Sequence, residues 1–183
     1  MFSGKLIKIR QRAVRDDNYF MRLALREAAK AASTDEVPVG AIVVFADRVV
    51  GRGRNRVESR RDATGHAEIQ ALQLASRRLK RWRLTGCTVY STLEPCAMCA
   101  GAMVLTRIDR LVYAARDSKA GAAGSVFDVA TARRLNHRIE VEHGLLEREA
   151  AKLLRDFFRA RRGRAGGLRR SEANKTRRVG RAG

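Results

Sequence analysis

Two short segments constrain this chain more than any other feature. "GHAEIQAL" (65–72) sets a histidine and a glutamate two residues apart, after a polar loop and where an apolar helical pattern begins. "TLEPCAMCAG" (92–101) follows a proline with two cysteines three residues apart. Cys96 and Cys99, at i and i+3, share one helix face, so both sulfurs reach a single ion. His66, in the first turn of the other helix, offers a third donor. One His and two Cys suit zinc and leave a tetrahedral position open, which a catalytic site keeps and a structural site closes. A helix N-terminus and a zinc ion both favour thiolate over thiol, and Pro95 is well placed to start the second helix. A chain that uses these residues together must bring two helix starts to one point.

Glu68 completes the pattern. Zinc lowers the pKa of bound water to about 7. A carboxyl group beside that water takes its proton and passes it on, the equipment needed to hydrolyse an aromatic amine. Two residues from His66 on the first turn, Glu68 is placed to face the water rather than the metal. Other readings stand beside this one. Cys87, about 20 Å of extended chain before Cys96 at about 3.3 Å per residue, closes the site if it is a fourth ligand, but as the start of a strand it fits the core. A lone C-x-x-C suits redox work, and a first-turn glutamate also merely complements the helix dipole.

The charge balance points to a partner. The 183 residues carry 39 Lys and Arg against 19 Asp and Glu, formally +20. Such an excess fits a polyanion, nucleic acid or an anionic membrane, although a genome biased toward Arg contributes to it. The longest clear apolar run, "AIVVFA", is far short of the roughly 20 residues of a membrane span. Residues 1–15 contain Lys5, Lys8, Arg10, Arg12 and Arg15, no acid and no apolar block of a secretory signal. Three cysteines make no disulfide framework. The expected location is cytoplasmic, with no membrane partner.

Periodicity gives the elements. Residues 17–32 read as a helix capped by Asp16 or Asp17. "VGAIVVF" and "RVVGRGR" around the two-residue turn "AD" read as a β-hairpin. A polar loop (55–65), a helix (65–80), a strand ("CTVYSTL"), a small-residue helix (97–105) and a strand ("RLVYAA") follow. A Gly-rich loop (117–125), an edge strand ("RIEVEHG") and an amphipathic helix (145–162) complete the chain. Mixed strands and helices argue for an α/β fold, a sheet covered by helices. The chain divides into a basic N-terminal arm (1–16), a zinc-bearing domain (17–162) and an Arg-rich tail (163–183) expected to be disordered. Phe157 and Phe158 are adjacent, so only one of them faces a helical core.

With these residues in view the sequence resembles the bacterial tRNA-specific adenosine deaminases of the cytidine-deaminase-like superfamily, which form inosine at the wobble position of an anticodon. The H-x-E…P-C-x-x-C pattern is the signature of zinc deaminases. "EVPVGAIVV", Asn55, "ARDSKAGAAGS", "NHR" (136–138) and "DFFRARR" (156–162) make the tRNA branch the best match. The resemblance implies a three-layer α/β/α sandwich with a central mixed sheet, a homodimer, and one zinc per subunit on His66, Cys96 and Cys99. It implies Glu68 as catalytic proton shuttle and a flipped base of a tRNA anticodon stem-loop as substrate. It gives Asn55 the target nucleoside, and Asp117, Lys119, Asn136, Phe158 and Arg161 neighbouring nucleotides. A deaminase of a free base or nucleoside, or a noncatalytic RNA-binding zinc module, shares many of these features. The family usually reads D-P-T-A-H-A-E where this chain reads "DATGHAE", so the loop before the helix is expected to be looser.

Overall fold

The computed structural model describes residues 16–179, with side chains as far as residue 164. The basic N-terminal arm expected over residues 1–16 therefore lies, but for Asp16, outside the described residues. Helix α1 (Asp17–Ala32) starts where an acidic cap predicts: Asp16 Oδ1 accepts the Tyr19 amide at 2.8 Å. The hairpin follows, β1 (Gly40–Phe45) and β2 (Arg48–Arg54). Its turn residues Ala46 and Asp47 both take positive φ, 46° and 56°, the geometry of a tight two-residue hairpin turn.

The next elements are a four-residue helix α2 (Val57–Arg60), α3 (Ala67–Leu79), β3 (Cys87–Leu93), α4 (Ala97–Leu105), β4 (Arg110–Ala115), β5 (Glu140–His143) and α5 (Glu147–Val179). The strands lie in the order β2-β1-β3-β4-β5. β1 is antiparallel to β2 and β3, whereas β3, β4 and β5 are parallel, so the sheet is mixed and β5 is an edge as expected.

Alternation along the strands sends side chains to two faces. Val43, Val89 and Leu111 pack with Ala71 and Leu72 of α3 and Met103 of α4. Ile42, Tyr90 and Val112 pack with Phe20 and Met21 of α1 and Ala150 of α5. Helices thus cover both faces, the three-layer arrangement that the resemblance implies. Cys87 is fully buried in the first core, as its place at a strand start suggested. Phe157 is buried and Phe158 is exposed.

Two boundaries differ from the sequence reading. The polar loop at 55–65 contains α2, a single turn too short for periodicity to reveal. The backbone of α5 is helical to Val179 rather than ending at Arg162, so it runs through most of the tail expected to be disordered. Arg, Leu, Ala, Lys and Glu are good helix formers, and extending an existing helix needs no new nucleus. No helix among the described residues is long and apolar enough to cross a membrane.

Candidate metal centre and active site

His66 is the N-cap of α3 and Cys96 the N-cap of α4, with Cys99 three positions further on. Pro95 precedes the cap instead of occupying the first helical position. α3 lies so close to β2 that a Cβ on Gly53 would collide with the carbonyl of Ala67, the first residue of α3. β3 delivers the chain straight into the Glu94-Pro95-Cys96 turn. The two helix starts therefore meet beyond the C-terminal ends of the parallel strands β3 and β4, the usual place for a site in an open α/β sheet.

The donors fit a zinc ion. His66 Nδ1 lies 3.6 Å from Cys96 Sγ and 3.5 Å from Cys99 Sγ. All three donor atoms lie within 4.8 Å of one another. Tetrahedral bonds of about 2.0 Å to nitrogen and 2.3 Å to sulfur space such donors about 3.5 Å apart. The electrostatics agree. A hydrogen bond from Cys99 and then one from His66 pull the Cys96 thiol down to about 3, whereas Cys96 and burial push Cys99 up. The hydrogen bond to Cys96 also raises His66. Two sulfurs and an imidazole nitrogen converging on one point are a site that a divalent cation completes.

Glu68 is 3% exposed, beside this triad but outside it. Burial raises its carboxyl to about 7, so it can hold or release a proton near neutral pH. A cavity of about 310 Å³ opens over these groups. Its walls include His66, Glu68, Cys96, Asn55, Asp117 and the apolar Val39.

Two buried carboxylates missed in the sequence hold the walls. Glu36 accepts from Asn55 Nδ2 at 3.2 Å and from the amides of Glu58 and Ser59 at 3.2 and 2.8 Å. It fixes the Asn55 side chain and α2 together. Glu94 accepts from the amides of Asp117, Ala123 and Ser125, each at 3.0 Å, and from the Ser125 hydroxyl. It gathers the Gly-rich loop around one side chain, and Gly121 leaves room for it: a Cβ there would strike the Glu94 carboxyl carbon and the Asp117 carbonyl. The signal was present in "EVPVG" and "TLEPC", an acid beside an apolar run that only a buried network of donors makes tolerable.

The loop before His66, which lacks the family's proline, is tied by hydrogen bonds. Asp62 Oδ1 accepts from the Thr64 amide and hydroxyl at 2.8 and 2.7 Å. The Gly65 carbonyl accepts from the Arg56 amide at 2.9 Å and from Gln70 Nε2 at 3.0 Å.

The predicted substrate residues divide. Asn55 and Asp117 line the cavity. Lys119 and Phe158 instead meet in a neighbouring groove with Arg155, Arg159 and Arg162. Arg161 reaches Glu58 on the cavity wall at 3.3 Å and joins the two regions. Asn136 is not brought to either. Its carbonyl accepts from Arg107, and His137 contacts the Ile108 carbonyl, both at the opposite end of β4.

The profile of the MafB19-like deaminases matches residues 15–162. The chain belongs to this deaminase family. Within it, the chain is 46% identical over 141 residues to the tRNA-specific adenosine deaminase of Aquifex aeolicus, covering 77% of this chain and 93% of that protein. It is 41% identical over 143 residues to the Bacillus subtilis protein of the same name, covering 78% and 89%. Among solved structures, one from a study of A-to-I editing by tRNA:A34 deaminases superposes with a TM-score of 0.72 at 44% identity, covering 74% of this chain and 99% of that one. Guanine deaminase from Nitrosomonas europaea gives a TM-score of 0.65 at 30% identity, covering 80% and 86%. The H-x-E and P-C-x-x-C motifs of this chain lie within the matched residues.

Proposed function

We propose that this protein is a zinc-dependent hydrolase that deaminates adenosine to inosine at the wobble position of a tRNA anticodon. The observation that carries the reading is Glu68: a buried carboxyl, raised to about 7, beside three converged metal donors at an open cavity. His66, Cys96 and Cys99 would hold the zinc ion, which would supply the Lewis acidity that makes water a nucleophile at neutral pH. Glu68 takes one proton from the attacking water and delivers it to the ring nitrogen, then takes the remaining hydroxyl proton of the adduct and delivers it to the leaving amine. Val39 and the other apolar walls exclude bulk water. Asn55, fixed by Glu36, offers both donor and acceptor to the nucleoside.

The substrate choice rests on the relatives' names and on charge. The groove formed by Lys119, Phe158, Arg155, Arg159 and Arg162 pairs cations with an exposed aromatic ring, which suits the phosphates and unstacked bases of an anticodon loop. A base acted on by an enzyme must leave its stack, and such a loop presents it already splayed. The guanine deaminase likeness favours a second reading, a free purine base as substrate, which gives that basic groove nothing to do. A homodimer and a cytoplasmic location complete the proposal. The α3–α4 face supports the former, with an apolar groove at Ile69, Leu72 and Ala102 and with Leu105 exposed beside it. Incubating the zinc-loaded protein with total tRNA, free adenosine and guanine tests the assignment. Inosine formed in tRNA alone supports it, and ammonia released from guanine alone overturns it.

A further inference from the structure

A second cavity, of about 340 Å³, lies on the α1 side of the edge strand β2. It is lined by Glu27, Lys30, Arg52, Arg54, Arg56 and Gln70. Four cations face one carboxylate, an excess of three positive charges. Glu27 is buried and is already taken by Lys30 at 2.9 Å. Arg52 and Arg54 approach it only to 3.9 and 3.8 Å, too far for hydrogen bonds. Their guanidinium donors are therefore not consumed by it. Arg54 Nε is buried and has no hydrogen-bond partner among the described residues. A buried N–H without a partner is rare, and a bound water or ion is one way in which its acceptor is supplied.

We infer that this cavity is a phosphate-binding site for the backbone of the RNA substrate, outside the deamination cavity. Arg forks match phosphate oxygens two at a time, which a lysine cluster does not do. Arg52 and Arg54, two residues apart, project from the same side of β2 and are offset by about 6.6 Å along it. The site also adjoins the catalytic region. Arg56 follows Asn55, and Gln70, one helical turn beyond His66, bonds the Arg54 carbonyl at 2.6 Å and the Gly65 carbonyl at 3.0 Å. A strand of RNA held here is tied to the loop that frames the target base. The plainer role of cations on an edge strand is to prevent edge-to-edge pairing. That role needs charges spread into solvent, and it leaves the buried Arg54 Nε without an acceptor. The inference rests on the proposed tRNA reading and extends its footprint.

The test measures binding of full-length tRNA by the zinc-loaded protein at several salt concentrations. Replacing Arg52 and Arg54 together by Gln should weaken binding on the order of tenfold at about 0.1 M salt. The slope of log affinity against log salt should flatten by about 1.4 to 1.8 units, for two lost phosphate contacts. Because this double change leaves Glu27 with only Lys30, a second variant guards against misfolding. Glu27→Gln is nearly isosteric, removes the one opposing charge, and should bind tRNA several-fold more tightly. A purely structural role cannot produce these opposite signs. An unchanged salt slope in R52Q/R54Q, or unchanged or weaker binding by E27Q, overturns the inference. Inorganic phosphate is the control ligand: if it raises the melting temperature of the parent but not of R52Q/R54Q while tRNA slopes match, the site takes a free anion and the RNA proposal fails. Inosine formation by the parent protein is scored in parallel, so a failed substrate assignment is told apart from a failed binding site.

Discussion

At the scale of single residues, the site separates metal retention from proton transfer. Cys96 is a cap residue whose sulfur touches both His66 and Cys99. Its replacement by Ala removes one of three donors and leaves only His66 and Cys99. The variant should lose both zinc and activity, and stoichiometric zinc with full activity in Cys96→Ala refutes the ligand set. Glu68 lies outside the donor set, so Glu68→Ala should keep its zinc and bind tRNA about as the parent does. Its rate should fall by at least about 100-fold, the low end for a positioned acid–base group. Zinc analysis beside single-turnover deamination measures the two effects separately. The sequence displayed these four residues plainly because cysteine, histidine and glutamate at helix starts have few other uses in such spacing. It hid Glu36 and Glu94, whose work is to accept amides from loops distant in the chain. An acid beside an apolar run hinted at burial, but nothing local names the donors that make it tolerable.

At the scale of elements, the strands and helices were legible where burial imposes a period. α1, the hairpin, β3, α4 and β4 follow apolar alternation or helical spacing. α2 was not legible, since one turn carries no period, and its amides are held by Glu36 rather than by its own sequence. That contact yields a prediction about acid. Burial works to raise the Glu36 carboxyl, but hydrogen bonds from Ser59, Glu58 and Val57 outweigh it and hold it below the ordinary value. A depressed folded pKa gives stability that is complete above the unfolded value of about 4.3 and is lost as pH falls through the lower folded value. The parent should therefore lose melting temperature below about pH 4.3, and Glu36→Gln should begin less stable at neutral pH and lose less on acidification. Equal acid slopes for the two proteins refute this account. Asn55 belongs to the same unit. Asn55→Ala should reduce turnover of tRNA with zinc content unchanged, because a nucleoside-orienting amide is lost while the donors stay. If only the melting temperature moves, Asn55 is a loop anchor and nothing more.

At the scale of the whole molecule, +20 of formal charge is distributed over more than one surface. The groove at Lys119 and Phe158 and the cavity at Arg52 and Arg54 account for part of it. The segment after Gly163 carries Arg164, Arg169, Arg170, Lys175, Arg177, Arg178 and Arg181 against a single acid, Glu172. As far as Val179 its backbone continues α5, the helix that also supplies Phe158 and Arg162 to the basic groove. Arg164, the last of these with a described side chain, is paired with Asp35 at 2.6 Å. The remaining cations have little apolar surface with which to fold against the domain, so their contribution should be electrostatic. Each phosphate neutralised on a single strand contributes about −0.7 to the slope of log affinity against log salt. If three or four tail cations engage phosphates, truncation at Gly163 should flatten that slope by about 2 to 3 units. Discrimination among tRNAs should survive, since phosphate contacts carry no sequence information. Turnover at saturating tRNA should survive as well, since His66, Glu68, Cys96, Cys99 and Asn55 remain in place. Filter binding across a salt series, with and without residues 164–183, measures the slope. Identical slopes show the tail to be idle, whereas a flattened slope with an altered choice of tRNA gives it a part in reading the substrate that phosphate contact alone does not supply.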